Sequence, residues 1–135
     1  MVRNAAYSLK FARTFLTPFA TEWLEDVGPF DVALVLLGVN DAAKGLASDF
    51  KLHYSIIVSK LAGLSFKPAL ILGKPLPLLS REFVSSSQII STSVDEVGRD
   101  QGACLLCHGC FVGHYPQVLL SLTLPLGSTA AVLLK

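Results

Sequence analysis

Asn40 and Asp41 are two polar side chains that follow an apolar run, Asp31 to Leu37, directly after it breaks at Gly38. Such a pair either closes an Asx-turn or helix cap, or is delivered by the strand to an active site. The densest set of ligating atoms lies further on, in "CLLCHGCFVGH": Cys104, Cys107, His108, Cys110 and His114. Soft thiolates and imidazole suit zinc, which makes Cys104, Cys107, Cys110 and His114 a candidate zinc set. Their spacing is tighter than that of common fingers, and no second ligand pair stands elsewhere. The alternative places Cys104 against a core and the others in an irregular tail. Cys104-x-x-Cys107-His108 also matches c-type haem attachment. That chemistry needs export and usually a second axial ligand, whereas Met1 is the only methionine and the N-terminus does not read as a signal peptide. Cys107 and His108 make a poor nucleophile and base, because neighbours on a strand point to opposite faces. His53 falls on the polar side of its helix, and Ser85-Ser86-Ser87 reads as a helix start instead of an active-site elbow.

The elements that must position these residues follow from periodicity and breakers. Leu9, Ala12, Phe15, Leu16, Phe19 and Trp23 are spaced near a helical period, predicting a helix over 7–25 that Pro18 would kink. Gly28-Pro29 breaks the chain before a continuous apolar strand over 31–37, of the kind found in a sheet covered on both faces. Ser48 or Asp49 is a fair N-cap, and Gly63 a fair terminator, for a helix whose Phe50, Tyr54, Ile57, Val58 and Leu61 form one stripe. "PALILG" (68–73) is a second buried strand, residues 88–101 a third helix, and "ACLL" (103–106) a third strand. Helix and strand in strict alternation imply an α/β fold with a parallel sheet and helices on both faces, a three-layer α/β/α arrangement. Ligands of such sheets sit beyond the carboxyl ends of the strands, where Gly38 to Asp41 fall.

"FDVALVLLGVNDAA" resembles the third conserved block of the SGNH (GDSL-type) hydrolases, an apolar strand ending in Gly-x-Asn-Asp. The flanks resemble the isoamyl-acetate-hydrolysing esterase branch, in the correct order. "AYSLKFA" (6–12) is similar to the "GYNTRWA" stretch after the second block, and "DFKLHYSIIVSKL" to the helix after the third. "KPALILGKPLPL" is similar to the next strand and its exit loop, and "VDEVGRDQGACLL" to the following helix and strand. The resemblance covers residues 3–106, a partial SGNH hydrolase-like, flavodoxin-like domain, with 107–135 a divergent Cys/His-rich segment and hydrophobic tail.

The resemblance implies hydrolysis of short-chain acyl esters without a cofactor. A serine activated by an Asp-x-x-His pair attacks the ester. Asn40 would be an oxyanion-hole donor, a role worth roughly two to four kcal/mol per donor, and Gly38 would shape the same block. The remaining parts do not match. No Gly-Asp-Ser occurs in the chain, Ala6 stands where the second block has its glycine, and Phe111 stands three before His114 where an aspartate is needed. The expectation is an incomplete, catalytically inactive domain, with the non-catalytic zinc module as the alternative.

Composition fits a core written for a larger domain. Hydrophobic residues make up 52% of the 135 and charged residues only 16%, low for a freely soluble domain. An incomplete sheet would leave an exposed edge and apolar surface, favouring self-association or a partner. The net charge of +1 comes from scattered basic residues, which gives no footprint for nucleic acid. Residues 117–134 are uncharged, but Pro125, Gly127 and several Ser and Thr residues speak against a membrane span. Three cysteines, an odd number, point to a reducing intracellular compartment, the cytoplasm.

Overall fold

The computed structural model describes residues 2–4, 7–8, 10–17, 29–75, 83–106 and 128–134, with side chains described at 10–17, 29–75 and 83–105. In chain order these form β1 (Val2–Asn4), β2 (Tyr7–Ser8), a 3-10 helix (Ala12–Leu16), β3 (Val32–Leu36), α1 (Val39–Ala43), α2 (Ala47–Ala62), β4 (Ala69–Gly73), α3 (Val84–Asp100), β5 (Cys104–Leu106) and β6 (Ser128–Leu134).

The three apolar strands pair as expected. β3 and β4 run parallel, with Val32 opposite Ala69 and Leu36 opposite Gly73. β4 and β5 run parallel, with Ile71 opposite Cys104. The chain is therefore of mixed α/β class. Because β3, β4 and β5 follow one another across the sheet, both crossovers fall on the same side, and α2 packs directly on α3. Ala33, Val35, Leu37, Leu70 and Leu72 meet Phe50, Tyr54, Ile57, Val58, Leu61, Ile90, Val94 and Val97 in one buried cluster.

The other side of β3 is occupied by β6. It runs antiparallel, with Val32 opposite Leu134 and Leu36 opposite Ala130. On its far side β6 takes β1 (Val2 opposite Leu134) and β2 (Tyr7 opposite Thr129), both antiparallel. The sheet order is thus β1-β6-β3-β4-β5. The edge of β3 that an incomplete parallel sheet would expose is paired instead by the end of the hydrophobic tail, which makes the sheet mixed.

The N-terminal helix expected over 7–25 is corrected. Tyr7–Ser8 is strand and, among the described residues of that stretch, only Ala12–Leu16 is helical, in the tighter 3-10 form. Thr14 closes its first turn, its hydroxyl accepting from the Phe11 N–H at 3.3 Å. Thr17 is extended, at φ −72° and ψ 156°, as a residue before proline must be, because the Pro18 ring crowds the helical region. The 3-10 helix therefore ends before Pro18 is reached. Residues 18–28 lie outside the described ones.

α3 begins at Val84, four residues before the sequence suggests. Serine costs up to about 0.7 kcal/mol against alanine in a helix. Burying each of Ile90, Val94 and Val97, all at most 3% exposed, gives back about 1.5–3 kcal/mol, so packing outweighs the Ser-rich start. The helix closes in a Schellman turn: Ala103 N–H donates to the Gly98 carbonyl at 2.9 Å and Gly102 N–H to the Arg99 carbonyl at 3.3 Å. Gly102 holds φ +62° there, a conformation that costs a glycine little. α2 starts at Ala47 with no side-chain cap, ahead of the expected Ser48 or Asp49, and ends at Gly63 as expected. Two ion pairs brace the helices: Lys51 to Glu96 across α2 and α3, and Lys74 to Asp95 between the exit of β4 and α3, each at 2.6 Å.

Two outcomes follow from this packing. The Tyr54 ring stacks on Phe50 with centroids 4.9 Å apart, but its hydroxyl is buried without a hydrogen-bond partner. Tyr54→Phe should therefore raise stability by about 1–2 kcal/mol in urea denaturation, the cost of an unpaired buried hydroxyl. Ala131→Pro, in the strand between β1 and β3, should break the ladder. It should lower the denaturation midpoint and shift the chain to higher oligomers by light scattering, because an open edge recruits other chains.

Candidate functional site

The turn after β3 is built around a glycine that no other residue replaces. Gly38 sits at φ +113°, in the left-handed region that L side chains avoid. A Cβ there would also lie 2.6 Å from Ile90 Cγ2 and 3.1 Å from Phe50 Cε2. The chain can therefore turn tightly beneath α2 and α3 and enter α1 at Val39. Ala42 N–H donates back to the Gly38 carbonyl at 2.9 Å. The result places Asn40 and Asp41 side by side at the carboxyl end of β3, both buried, at 9% and 2% exposure.

Both side chains reach across some thirty residues to the segment at the 3-10 helix. Asn40 Nδ2 donates to the Lys10 carbonyl at 2.9 Å. The Asp41 carboxylate accepts the Ala12 N–H, at 3.2 Å to Oδ2 and 3.4 Å to Oδ1. The 3-10 helix itself packs on α2. The pair therefore does more than close a local turn: it engages backbone groups of another part of the chain.

Burial dominates the electrostatics of Asp41 and holds its carboxyl above the ordinary value of 3.8. The Ala12 N–H and its own backbone N–H, then the charges of His53 and Arg13, oppose that rise without cancelling it. His53, expected to face solvent, is only half-exposed and contributes to the field around Asp41.

The other candidates do not assemble into a centre. Cys104 is exposed at the start of β5, not packed in a core. Cys107, Cys110 and His114, the rest of the candidate zinc set, lie outside the described residues, as do His108, Phe111 and Ala6. Among the described residues no three His, Cys, Asp or Glu side chains gather around a common point, and no helix is long and apolar enough to cross a membrane. Ser85, Ser86 and Ser87 occupy the first turn of α3, with Ser87 buried. Sequence reasoning missed the groups that engage the site: the Lys10 carbonyl and the Ala12 N–H are backbone atoms and carry no signal in residue type.

Searches of protein-family models, curated proteins and solved structures found no match to this chain.

The Asp41 geometry sets a prediction with a definite sign. Its carboxyl binds a proton more tightly in the folded than in the unfolded chain. Its contribution to stability is therefore full below the ordinary value of 3.8 and is lost as pH rises through the raised folded value. Asp41→Asn keeps an oxygen acceptor for Ala12 N–H and removes the titration. Relative to wild type, Asp41→Asn should become steadily more stable as pH rises through that window, measured by urea midpoints of both proteins. Asp41→Ala leaves the buried Ala12 N–H unpaired and should cost about 1–3 kcal/mol. Equal stability of the two variants would show that the carboxylate is not an anchor.

Proposed function

We propose that residues 3–106 are part of an SGNH (GDSL-type) esterase-like domain with a three-layer α/β/α plan, and that this chain on its own does not hydrolyse esters. The reading rests chiefly on one juxtaposition. The Gly38-Val39-Asn40-Asp41 turn stands at the carboxyl end of a parallel strand, and its two polar side chains hold residues 10–12. Those residues close the stretch that resembles the "GYNTRWA" sequence of the esterase branch. Two stretches matched separately along the sequence thus meet in space, as parts of one site must.

In a complete site of this class, a serine hydroxyl attacks the ester carbonyl and a histidine takes its proton. The amide of Asn40 stabilises the charge on the carbonyl oxygen. The chain of 135 residues contains neither a Gly-Asp-Ser block nor an aspartate three before His114. Without that Asp-x-x-His arrangement to take its proton, a serine hydroxyl remains a poor nucleophile. Asn40 here donates to the Lys10 carbonyl, so its contribution in this chain is to hold the turn and the 3-10 helix together. The substrate class of the parent chemistry is a short-chain acyl ester.

The test is p-nitrophenyl acetate hydrolysis by the purified chain beside Asn40→Ala. Neither protein should exceed the buffer rate, while Asn40→Ala should lower the thermal midpoint because the Lys10 carbonyl loses its donor. Saturable turnover that Asn40→Ala abolishes, with the fold retained, would overturn the proposal of inactivity.

A further inference from the structure

Residues 10–17 have little of their own to hold them in place. Their 3-10 helix is five residues long and lies between an extended Phe11 and an extended Thr17. Of its side chains Ala12 alone is buried, and Phe15 and Leu16 pack only partly against the core. α2, on which the segment packs, buries Phe50, Tyr54, Ile57, Val58 and Leu61. A segment with few buried apolar groups opens at a lower free energy than the core it lies on. The tethers that offset this converge on one turn: Asn40 Nδ2 donates to the Lys10 carbonyl, and Ala12 N–H donates to the Asp41 carboxylate.

The second tether is sensitive to protons. Asp41 is 2% exposed, and the Ala12 N–H reaches its two oxygens at 3.2 and 3.4 Å. Strong N–H bonds to an ionised oxygen are shorter, about 2.7–2.9 Å. Among the described residues no ion pair neutralises the carboxylate. The charges whose fields reach it are His53, on α2, and Arg13, on the 3-10 helix. α3 presents Ile90 to the turn, and neither β3 nor β6 contains a titratable residue. A carboxyl so enclosed is costly to ionise, and burial accordingly holds it above its ordinary value. Moving residues 10–17 away gives it water in place of Ala12.

We propose that residues 10–17 are a proton-linked strap over the carboxyl end of β3, docked tightly on Asn40 and Asp41 while Asp41 carries a proton and undocking as a unit more readily once it is ionised. Undocking takes the Lys10 carbonyl off the Asn40 amide and opens the turn, while α2, α3 and the sheet keep their packing. The docked state binds the proton more tightly than the open one. Opening therefore increases as pH rises from the ordinary value of 3.8 to the raised docked value, and is level beyond it. For one proton the increase is at most about tenfold per pH unit. Acid tightens the strap and base loosens it. The inference does not depend on the hydrolase reading, since it concerns only the bonds between residues 10–12 and the turn.

The experiment is native-state amide hydrogen exchange of the full chain as a function of pH, with protection corrected for the intrinsic rise of exchange rate. The amides of Phe11, Ala12, Thr14 and Thr17 report the strap, and those of Tyr54, Ile57 and Val58 report α2 and global unfolding. The strap amides should share one protection level, at least about tenfold below that of α2. That level should fall with rising pH by up to about tenfold per unit and then become constant. Asp41→Asn should flatten the profile of the strap amides while α2 stays protected, and His53→Gln should leave the fall in place. Strap amides protected as strongly as α2 would overturn the proposal, because the segment would then open only with the whole fold. A fall that persists in Asp41→Asn, or one that disappears in His53→Gln, would overturn the assignment of the proton to Asp41.

Discussion

A buried carboxylate is an expensive way to join two parts of a chain, and the arrangement around β3 depends on one. Taking the charge of Asp41 out of water costs on the order of several kcal/mol before compensation. The Ala12 N–H, the Asp41 backbone N–H and the nearby charges of His53 and Arg13 offset part of that cost. In exchange the carboxylate fixes a segment that the local sequence could not hold in place. The 3-10 helix is only five residues long, too short to be stable alone. Its position comes from Asp41, from the Asn40 amide on Lys10 and from its packing on α2. Gly38 is the condition for the first two, since only a residue without Cβ brings Asn40 and Asp41 under Ile90 and Phe50.

The sheet obeys a second constraint, the pairing of edges. A parallel trio of strands leaves two edges with unsatisfied backbone groups. β6 closes the β3 side by an antiparallel pairing, which needs no crossover helix and asks only that an apolar segment of sufficient length come back to the sheet. β1 and β2 then cover β6 in turn. On the other side the last strand among the described residues is β5, three residues long, and α3 comes so close to it that a Cβ at Gly98 would lie 2.3 Å from Leu105 Cδ2. A short strand beneath a helix is one of the ways natural sheets blunt an edge. The carboxyl ends of β3 and β4 carry polar groups: Asn40 and Asp41 after one strand, the Lys74 to Asp95 pair after the next.

Legibility followed the range of the interactions. β3, β4, β5 and α2 could be read because each carries its signal within one element: a continuous apolar run, or a stripe at Phe50, Tyr54, Ile57, Val58 and Leu61. The turn at Gly38 was also legible, from a strand ending in glycine and two polar residues. The helix expected over 7–25 was not, because its apolar spacing outweighed the effect of Pro18 on Thr17, a steric rule acting on a single dihedral. The alternative that sets Cys104 against a core does not hold, because its position at the start of β5 leaves it exposed.

Local patterning was therefore enough to set the α/β class, the parallel order of three strands, the face that α2 buries and the polar pair at the end of β3. The partners of that pair were settled in three dimensions, since Lys10 and Ala12 engage it through backbone atoms that every residue type possesses. The antiparallel seat of β6 was settled there too: an uncharged run of Ser, Thr, Ala, Val and Leu is compatible with several environments, and only the vacant edge of β3 selects one. The unpaired hydroxyls of Tyr54 and Ser87 belong to the same class. Whether a buried polar group finds a partner depends on what lies within about 3 Å of it, and that is a property of the assembled chain.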